Sequence, residues 1–533
     1  MRDIMNVLTN KKVVFRSSFT IDMIKPVVLL TDSRWRRKTF SYFKDLGVPG
    51  PEPNLIWGNL WEYHENGLFR ALEKWCKKYG DVFGFYNGDV PMLVVNDIAF
   101  LQQAFVKSSS NFTNRGVTIR SDEMHPFLSK CLVHAKDSHW KSTRQCVSSG
   151  FTTSKIKQMM GHIAEVCDVF MDVLADDADS GKEVCMVEKF QGLTMDYIGR
   201  AAFGIDTSFQ RDLKHPFLIC AREAVKGVMS GPFHMLAHCT TALGKLATPL
   251  LWISWIFGRY PIRTFAEHVA KVIRLRKNDS TLRRNDILQN LIDAEYEELQ
   301  ETPKSITEGT PIVETQGHRK TRPLSSIEVI MNTTVLFLAG FETTATALSY
   351  VAYSLGKYPD IQEKVRKEVE QALDGSGELD YEAVTQKLKY LGQVVNETLR
   401  IWPPVFTFIT RQAKADFEYR GITFKAGTSI LSPTLQIQRD ARYFSDPMKF
   451  DPDRFSVEND KCFPKAAFQP FGLGPRNCIG SMLALVEITY TIARMTQSYR
   501  WELGQSQKED MPLEQCSMVS IPGRGPWIVL HNI

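Results

Sequence analysis

Long stretches of this chain repeat apolar residues every three to four positions, which predicts helices over residues 327–350, 360–373 and 390–401. Shorter alternating stretches predict strands over residues 82–86, 92–95 and 422–430. The helical pattern dominates, and it resumes after Cys478 through Ile479, Leu483, Ala484, Val486 and Ile488. Residues 301–323, rich in Thr, Pro, Gly, Glu and Lys, predict a surface connection without chemistry. The helix over 327–350 carries an anomaly, because Ala339-Gly340-Phe341-Glu342-Thr343-Thr344 places small and polar residues in its middle. Gly and Thr lower helix propensity, and a Thr343 hydroxyl can bond the carbonyl of Ala339, four residues back, opening the helix locally. Glu342 is then an acid beside a hydroxyl, the pairing a proton relay needs. Taken alone, the two threonines equally fit packing on a neighbouring helix.

The segment Phe471-Gly472-Leu473-Gly474-Pro475-Arg476-Asn477-Cys478-Ile479-Gly480 sets one cysteine in a glycine loop ahead of an apolar helix. Gly472 and Gly474 can take the positive φ values that let main-chain N–H groups converge on an anion. The sulfur then sits at the positive end of a helix dipole, which predicts a low thiol pKa and suits a thiolate bound to metal. For Cys478 in isolation, an inert buried cysteine is the alternative.

This loop resembles the haem-binding loop of the cytochrome P450 family, whose pattern FxxGxRxCxG is met at every defined position. The resemblance runs from about residue 49 to the C-terminus. It implies a mainly α fold with small β-sheets and heme b held between the oxygen-motif helix and the Cys-loop helix. It also implies a Cys478 thiolate as the axial iron ligand. Residues 339–344 match the family's oxygen-activating (A/G)Gx(D/E)T(T/S) motif, which implies catalytic roles for Thr343 and Glu342 and places Ala339 beside the cofactor. Trp140-Lys141-Ser142-Thr143-Arg144 matches WxxxR, which with Arg411, Arg476 and Phe471 completes the implied cofactor-binding set. Arginine suits the two haem propionates because its planar fork pairs bidentately with carboxylates.

Glu397 and Arg400 share one helix face, and as a surface pair they would contribute little. The family's ExxR pattern instead implies a buried triad with Arg454, in Phe450-Asp451-Pro452-Asp453-Arg454-Phe455, where Asp453 replaces the more usual Glu. Loss of one member is then expected to cause misfolding or haem loss. By the same resemblance, substrate contacts come from residues 112–132, the helix pair around 246–257, Phe337 and Leu338, 405–409 with Phe406 and Phe408, and 517–519 with Met518. These positions are mostly apolar, so a lipophilic substrate is expected.

The 533 residues are 43% hydrophobic, enough for a large core, and contain no internal repeat or long linker, so one catalytic domain over 45–533 follows an N-terminal extension over 1–44. A net charge of +5 without basic stripes gives no sign of nucleic acid. The 10 cysteines form no CxxC pair, which argues against a zinc site or disulfide scaffold and for a reducing, cytosol-facing environment. In the extension, Trp35-Arg36-Arg37-Lys38 resembles the basic stop after a membrane anchor and Pro49-Gly50-Pro51-Glu52-Pro53 the following hinge. Lys12, Arg16, Asp22 and Lys25 interrupt the ~20 apolar residues a span needs. Asp3, Asp22 and Asp32 count against a mitochondrial presequence, and an altered first exon is a third reading. Residues 246–257, with Trp252 and Trp255, fit an interfacial dip into a membrane surface or a buried helix.

Within the family, Asn396-Glu397-Thr398-Leu399-Arg400 with Pro403-Pro404 resembles the microsomal clan of drug- and steroid-oxidising enzymes. That implies the cytosolic face of the endoplasmic reticulum membrane rather than the mitochondrion. It implies electrons from NADPH through NADPH-cytochrome P450 reductase, with cytochrome b5 as a further partner; Lys136, Lys141 and Arg144 fit part of a basic docking face, and for the two lysines solvated surface charge is the simpler alternative. The expected activity inserts one oxygen atom from O2 into a steroid, lipid or xenobiotic. The alternatives are a haem-thiolate isomerase working without a reductase, which tends to lose the threonine found here as Thr343, and a non-catalytic haem protein.

Overall fold

Helices carry most of the described chain, which comprises residues 33–533 of the computed structural model except 64–66, 117–127, 205–207, 228–238, 240–260, 296–322, 374–376, 460, 508, 517–518 and 524. Those that shape the site are α1 (Ser33–Asp45), α2 (Asp137–Ser148), α3 (Thr153–Ser180), α4 (Met186–Tyr197), α5 (Pro216–Gly227), α6 (Pro261–Asn278), α7 (Ser326–Lys357), α8 (Pro359–Ala372), α9 (Lys389–Ile401) and α10 (Ser481–Ser498). The central one is α7, 32 residues and about 48 Å long. A capping box starts it: the Glu328 N–H donates to Ser325 Oγ (3.4 Å) and the Ser325 N–H to Glu328 Oε2 (2.7 Å). It runs past the predicted end because Val351, Ala352 and Leu355 still meet the core, and it stops where Pro359 opens α8.

By length and composition α7 could cross a bilayer, yet most of its apolar window is buried inside the fold. It packs against α4, α5, α6, α8, α9 and α10, as expected of a helix that is hydrophobic nearly all round. The strands are β1 (Val82–Asn87), β2 (Val90–Val95), β3 (Val184–Cys185), β4 (Thr410–Gln412), β5 (Phe417–Tyr419), β6 (Ile422–Phe424), β7 (Ser429–Leu431), β8 (Tyr499–Leu503), β9 (Glu514–Cys516), β10 (Val519–Ile521) and β11 (Trp527–Asn532). A four-stranded sheet runs β1-β2-β7-β4, with β2 and β7 parallel and the other pairs antiparallel. The single strand expected over 422–430 is in fact two, β6 and β7, separated by a turn at Gly427 with φ +89°. A continuous strand cannot pass through that left-handed backbone.

The N-terminal helix α1 sits on the sheet, with Phe43 buried beside Tyr86. A domain boundary at 44/45 therefore falls inside its last turn. Of the basic quartet, Arg36 is buried and donates to the carbonyls of Leu55 and Ile56 (3.0 and 3.1 Å) and of Cys239, so it ties α1 to the following segment rather than facing a membrane surface. Residues 1–32, 246–257 and 301–322 lie outside the described residues.

Candidate active site

The cysteine loop is built as its glycines require. Gly472 and Gly474 have φ +82° and +73°, and a Cβ on Gly474 would lie 2.0 Å from the Phe105 carbonyl oxygen. The Cys478 N–H donates to the Phe471 carbonyl (2.8 Å) and the Asn477 N–H to that of Gly474 (2.9 Å), folding the loop back on itself. Cys478 offers open surface yet is crowded by protein on most sides, the signature of a group lining an enclosed space. Its thiol is not depressed as the sequence led us to expect: burial pushes it up, opposed by the Gly480 N–H at the start of α10 and by the Arg144 guanidinium. In a desolvated site these two contributions do not outweigh the cost of an isolated thiolate, and a metal cation at the sulfur would favour it.

Four arginines converge beside this loop. Arg476 is buried and gives Nε, Nη1 and Nη2 to the carbonyls of Thr113 (2.7 Å), Val133 (3.4 Å) and Ala135 (2.6 Å), while its guanidinium lies 4.3 Å over the Trp140 ring. Arg411, on β4, donates to Thr410 and Leu473 carbonyls (2.7 and 2.5 Å). Arg144, on α2, clamps the loop through the Asn477 carbonyl and Oδ1 (both 2.9 Å). The fourth, Arg115, escaped the sequence reading because no fixed spacing marks it within an apolar segment; it donates to the Phe408 carbonyl (2.7 Å) and lies 4.1 Å over the Phe408 ring.

None of the four pairs with a carboxylate among the described residues. Burial and their mutual repulsion push Arg476 down to about 8, Arg411 to about 9 and Arg115 to about 10. A guanidinium does not give up its proton in a protein, so an anion is what relieves such a cluster. Haem, with two propionates at one edge and an iron to take a thiolate, fits this donor set.

On α7 the Thr343 hydroxyl donates to the Ala339 carbonyl (2.6 Å), as the spacing predicted, while the helix remains unbroken. Ala339 is exposed and Gly340 and Thr343 half-exposed in the middle of a helix that is mostly buried. The same open stripe continues one turn back at Val335 and Leu336, four and three residues before Ala339. Phe337 and Leu338, expected to meet substrate, lie off that stripe and are buried; Phe337 stacks on Phe203 at 4.4 Å. Phe406 is likewise core, edge-on to Phe69 at 5.4 Å, and Phe408 lies under Arg115. Met518 lies outside the described residues. The Glu342 carboxylate makes no bond to Thr343; it is buried on the α4 side, where Gln191 Nε2 donates to both its oxygens at 3.1 Å.

The triad residues come together. Arg400 Nε and Nη2 grip Glu397 Oε2 and Oε1 (2.6 and 2.8 Å), Arg454 Nε reaches Oε1 (3.3 Å), and the Asp451 N–H adds a fourth donor (3.0 Å). Arg400 Nη1 also holds the Gln438 carbonyl (2.8 Å). Glu397 and Arg400 are wholly buried, and a buried carboxylate with four donors is fully paired.

The family model for cytochrome P450 matches residues 48–529. Cytochrome P450 3A14 of Cavia porcellus is 32% identical over 485 residues, 90% of this chain and 91% of that protein. Cytochrome P450 3A5 of Homo sapiens is 32% identical over 469 residues, 87% of each chain, and lithocholate 6-beta-hydroxylase of Mesocricetus auratus 31% identical over 464 residues, 86% of this chain and 87% of that protein.

Proposed function

This chain belongs to the cytochrome P450 family and is a haem-thiolate monooxygenase, and we propose that Cys478 is its iron ligand and Thr343 with Glu342 its proton-delivering pair. Heme b is its cofactor, and electrons reach it from NADPH through a reductase. When bound, the haem supplies the activation of dioxygen that no side chain can perform. The carrying observation is the uncompensated cluster of Arg115, Arg144, Arg411 and Arg476 beside Cys478. These four arginines, with Trp140, would hold the propionates, and the Gly480 N–H donates to the Cys478 sulfur. Ala339, small and exposed, keeps that face of α7 low, so that oxygen and substrate fit above it, while Gly340 lets Ile198 pack closely on the helix, where a Cβ would lie 2.9 Å from Ile198 Cδ1.

Thr343 keeps its hydroxyl on that open face. Bonded to the Ala339 carbonyl, its oxygen accepts; rotated off that carbonyl, it donates a proton. Glu342 is the acid that resupplies it. The substrate is lipophilic, and the open stripe through Val335, Leu336 and Ala339 offers it apolar contact. A relative named for hydroxylating lithocholate supports a molecule of steroid size. NADPH-cytochrome P450 reductase and cytochrome b5 are the proposed donors, docking on the face that carries Lys136, Lys141 and Arg144, and the cytosolic side of the endoplasmic reticulum membrane is the proposed location.

Thr343→Ala tests the assignment of the pair. The carbon monoxide band of the reduced protein stays intact, while product formed per NADPH falls about 10²-fold at most and peroxide rises in its place. Unchanged coupling removes Thr343 from the mechanism.

A further inference from the structure

Glu342 is not free to serve Thr343 as it stands. Adjacent residues on a helix point about 100° apart, and here they face different surroundings. Thr343 faces the open stripe, and Glu342 is buried against α4 and α5. The charges around Glu342 are Arg222 and Lys226 on α5, with Glu188 on α4 facing Arg222. Between Glu342 and Arg222 stands the amide of Gln191, on α4, half-buried.

The orientation of that amide is fixed by its neighbours. Arg222 Nε lies 2.8 Å from Gln191 Oε1, and arginine has only donors, so the atom facing it must be the amide oxygen. The amide nitrogen is thereby aimed at Glu342 and bonds both carboxylate oxygens at 3.1 Å. Among the described residues Arg222 makes no ion pair: Nη1 bonds the Leu213 carbonyl (3.1 Å) and Nη2 is buried without a partner. Its charge reaches Glu342 through the amide. An NH2 group facing both oxygens can only donate, so it is satisfied by an ionised carboxylate and not by a carboxylic acid presenting a proton.

We propose that Gln191, its amide fixed by Arg222, is a positioning residue for Glu342: it holds the carboxylate ionised and turned away from the Thr343 face, so that proton supply to that face requires the amide to let go. This rests on the reading of Glu342 as the acid of oxygen activation. Burial pushes the Glu342 carboxyl up, and Gln191, Arg222 and Lys226 offset only part of that, so these three are the groups that favour the ionised form. Glutamine at 191 carries no motif, and only the fold brings it to Glu342.

The test is an infrared titration of the full-length holoenzyme, with the Glu342 carboxylic acid stretch assigned by its absence in Glu342→Gln. In Gln191→Met, similar in shape but without the donor, the titration midpoint rises by about 1–2 pH units, the worth of a hydrogen bond to a charged group. Peroxide release peaks at a correspondingly shifted pH. Arg222→Met, which frees the amide to turn, raises the midpoint in the same direction and serves if the first variant does not fold. A midpoint unmoved in either variant overturns the proposal. The titration does not depend on turnover: should Glu342→Gln leave coupling unchanged, the catalytic role of Glu342 fails, while the midpoints still decide whether Gln191 positions it.

Discussion

At the scale of single residues, charge without a partner makes the sharpest predictions. Arg115 is half-buried among three other arginines and pairs with no carboxylate among the described residues. In Arg115→Leu the haem-free protein loses a like-charge repulsion and keeps its stability within about 1 kcal/mol. Haem loss from the holoprotein accelerates about 10- to 150-fold, the cost of one charge-assisted bond. A haem-transfer assay reads this, and retention equal to wild type would mean that Arg115 touches no propionate.

Glu487, on α10, is a buried carboxyl with no hydrogen-bond partner for its side chain among the described residues, pushed up to about 8 by burial alone. The native state therefore holds a proton that the unfolded chain releases near pH 4.5, its ordinary value. Stability contributed by this group falls as pH rises from there and levels off above about pH 8. Glu487→Gln removes that slope. It should match wild type near pH 5 and exceed it by about 3–5 kcal/mol near pH 9 in denaturant unfolding; parallel curves would show that Glu487 is ionised in the fold.

At the scale of elements, the triad joins α9, where Glu397 and Arg400 are wholly buried, to the turn at Pro452–Phe455, where Arg454 is half-buried. Glu397→Ala strands Arg400 and Arg454 and costs about 3–5 kcal/mol, seen as a collapse of holoprotein yield. Arg454→Lys keeps the charge near Glu397 Oε1 and should lose less than half as much, because the stronger pair with Arg400 survives. Equal losses would place the weight on Arg454. The helices over 327–350, 360–373 and 390–401 were legible because their apolar periodicity is long, and the cysteine loop because its glycines sit at fixed offsets. Strand 422–430 misled because Gly427 interrupts a pattern that otherwise alternates. The lining of the open face misled for a related reason: Phe337 and Leu338 precede Ala339 in the chain, but Val335 and Leu336 precede it on the helix surface. Arg115 and Gln191 could not be read at all, since their partners are remote in sequence and only tertiary packing assembles them.

At the scale of the whole molecule, the arginine cluster gathers beside the cysteine loop, and these together with the open stripe of α7 would hold the haem. Everything proposed about oxygen chemistry depends on the sulfur of Cys478 holding that metal. The most direct test is the carbon monoxide spectrum of the reduced holoprotein, wild type beside Cys478→Ala, at equal haem content. The account predicts the red-shifted band of thiolate ligation in the wild type and its complete loss in the variant. A variant that retains the band, or a wild-type holoprotein that lacks it, would contradict the assignment of Cys478 as the iron ligand.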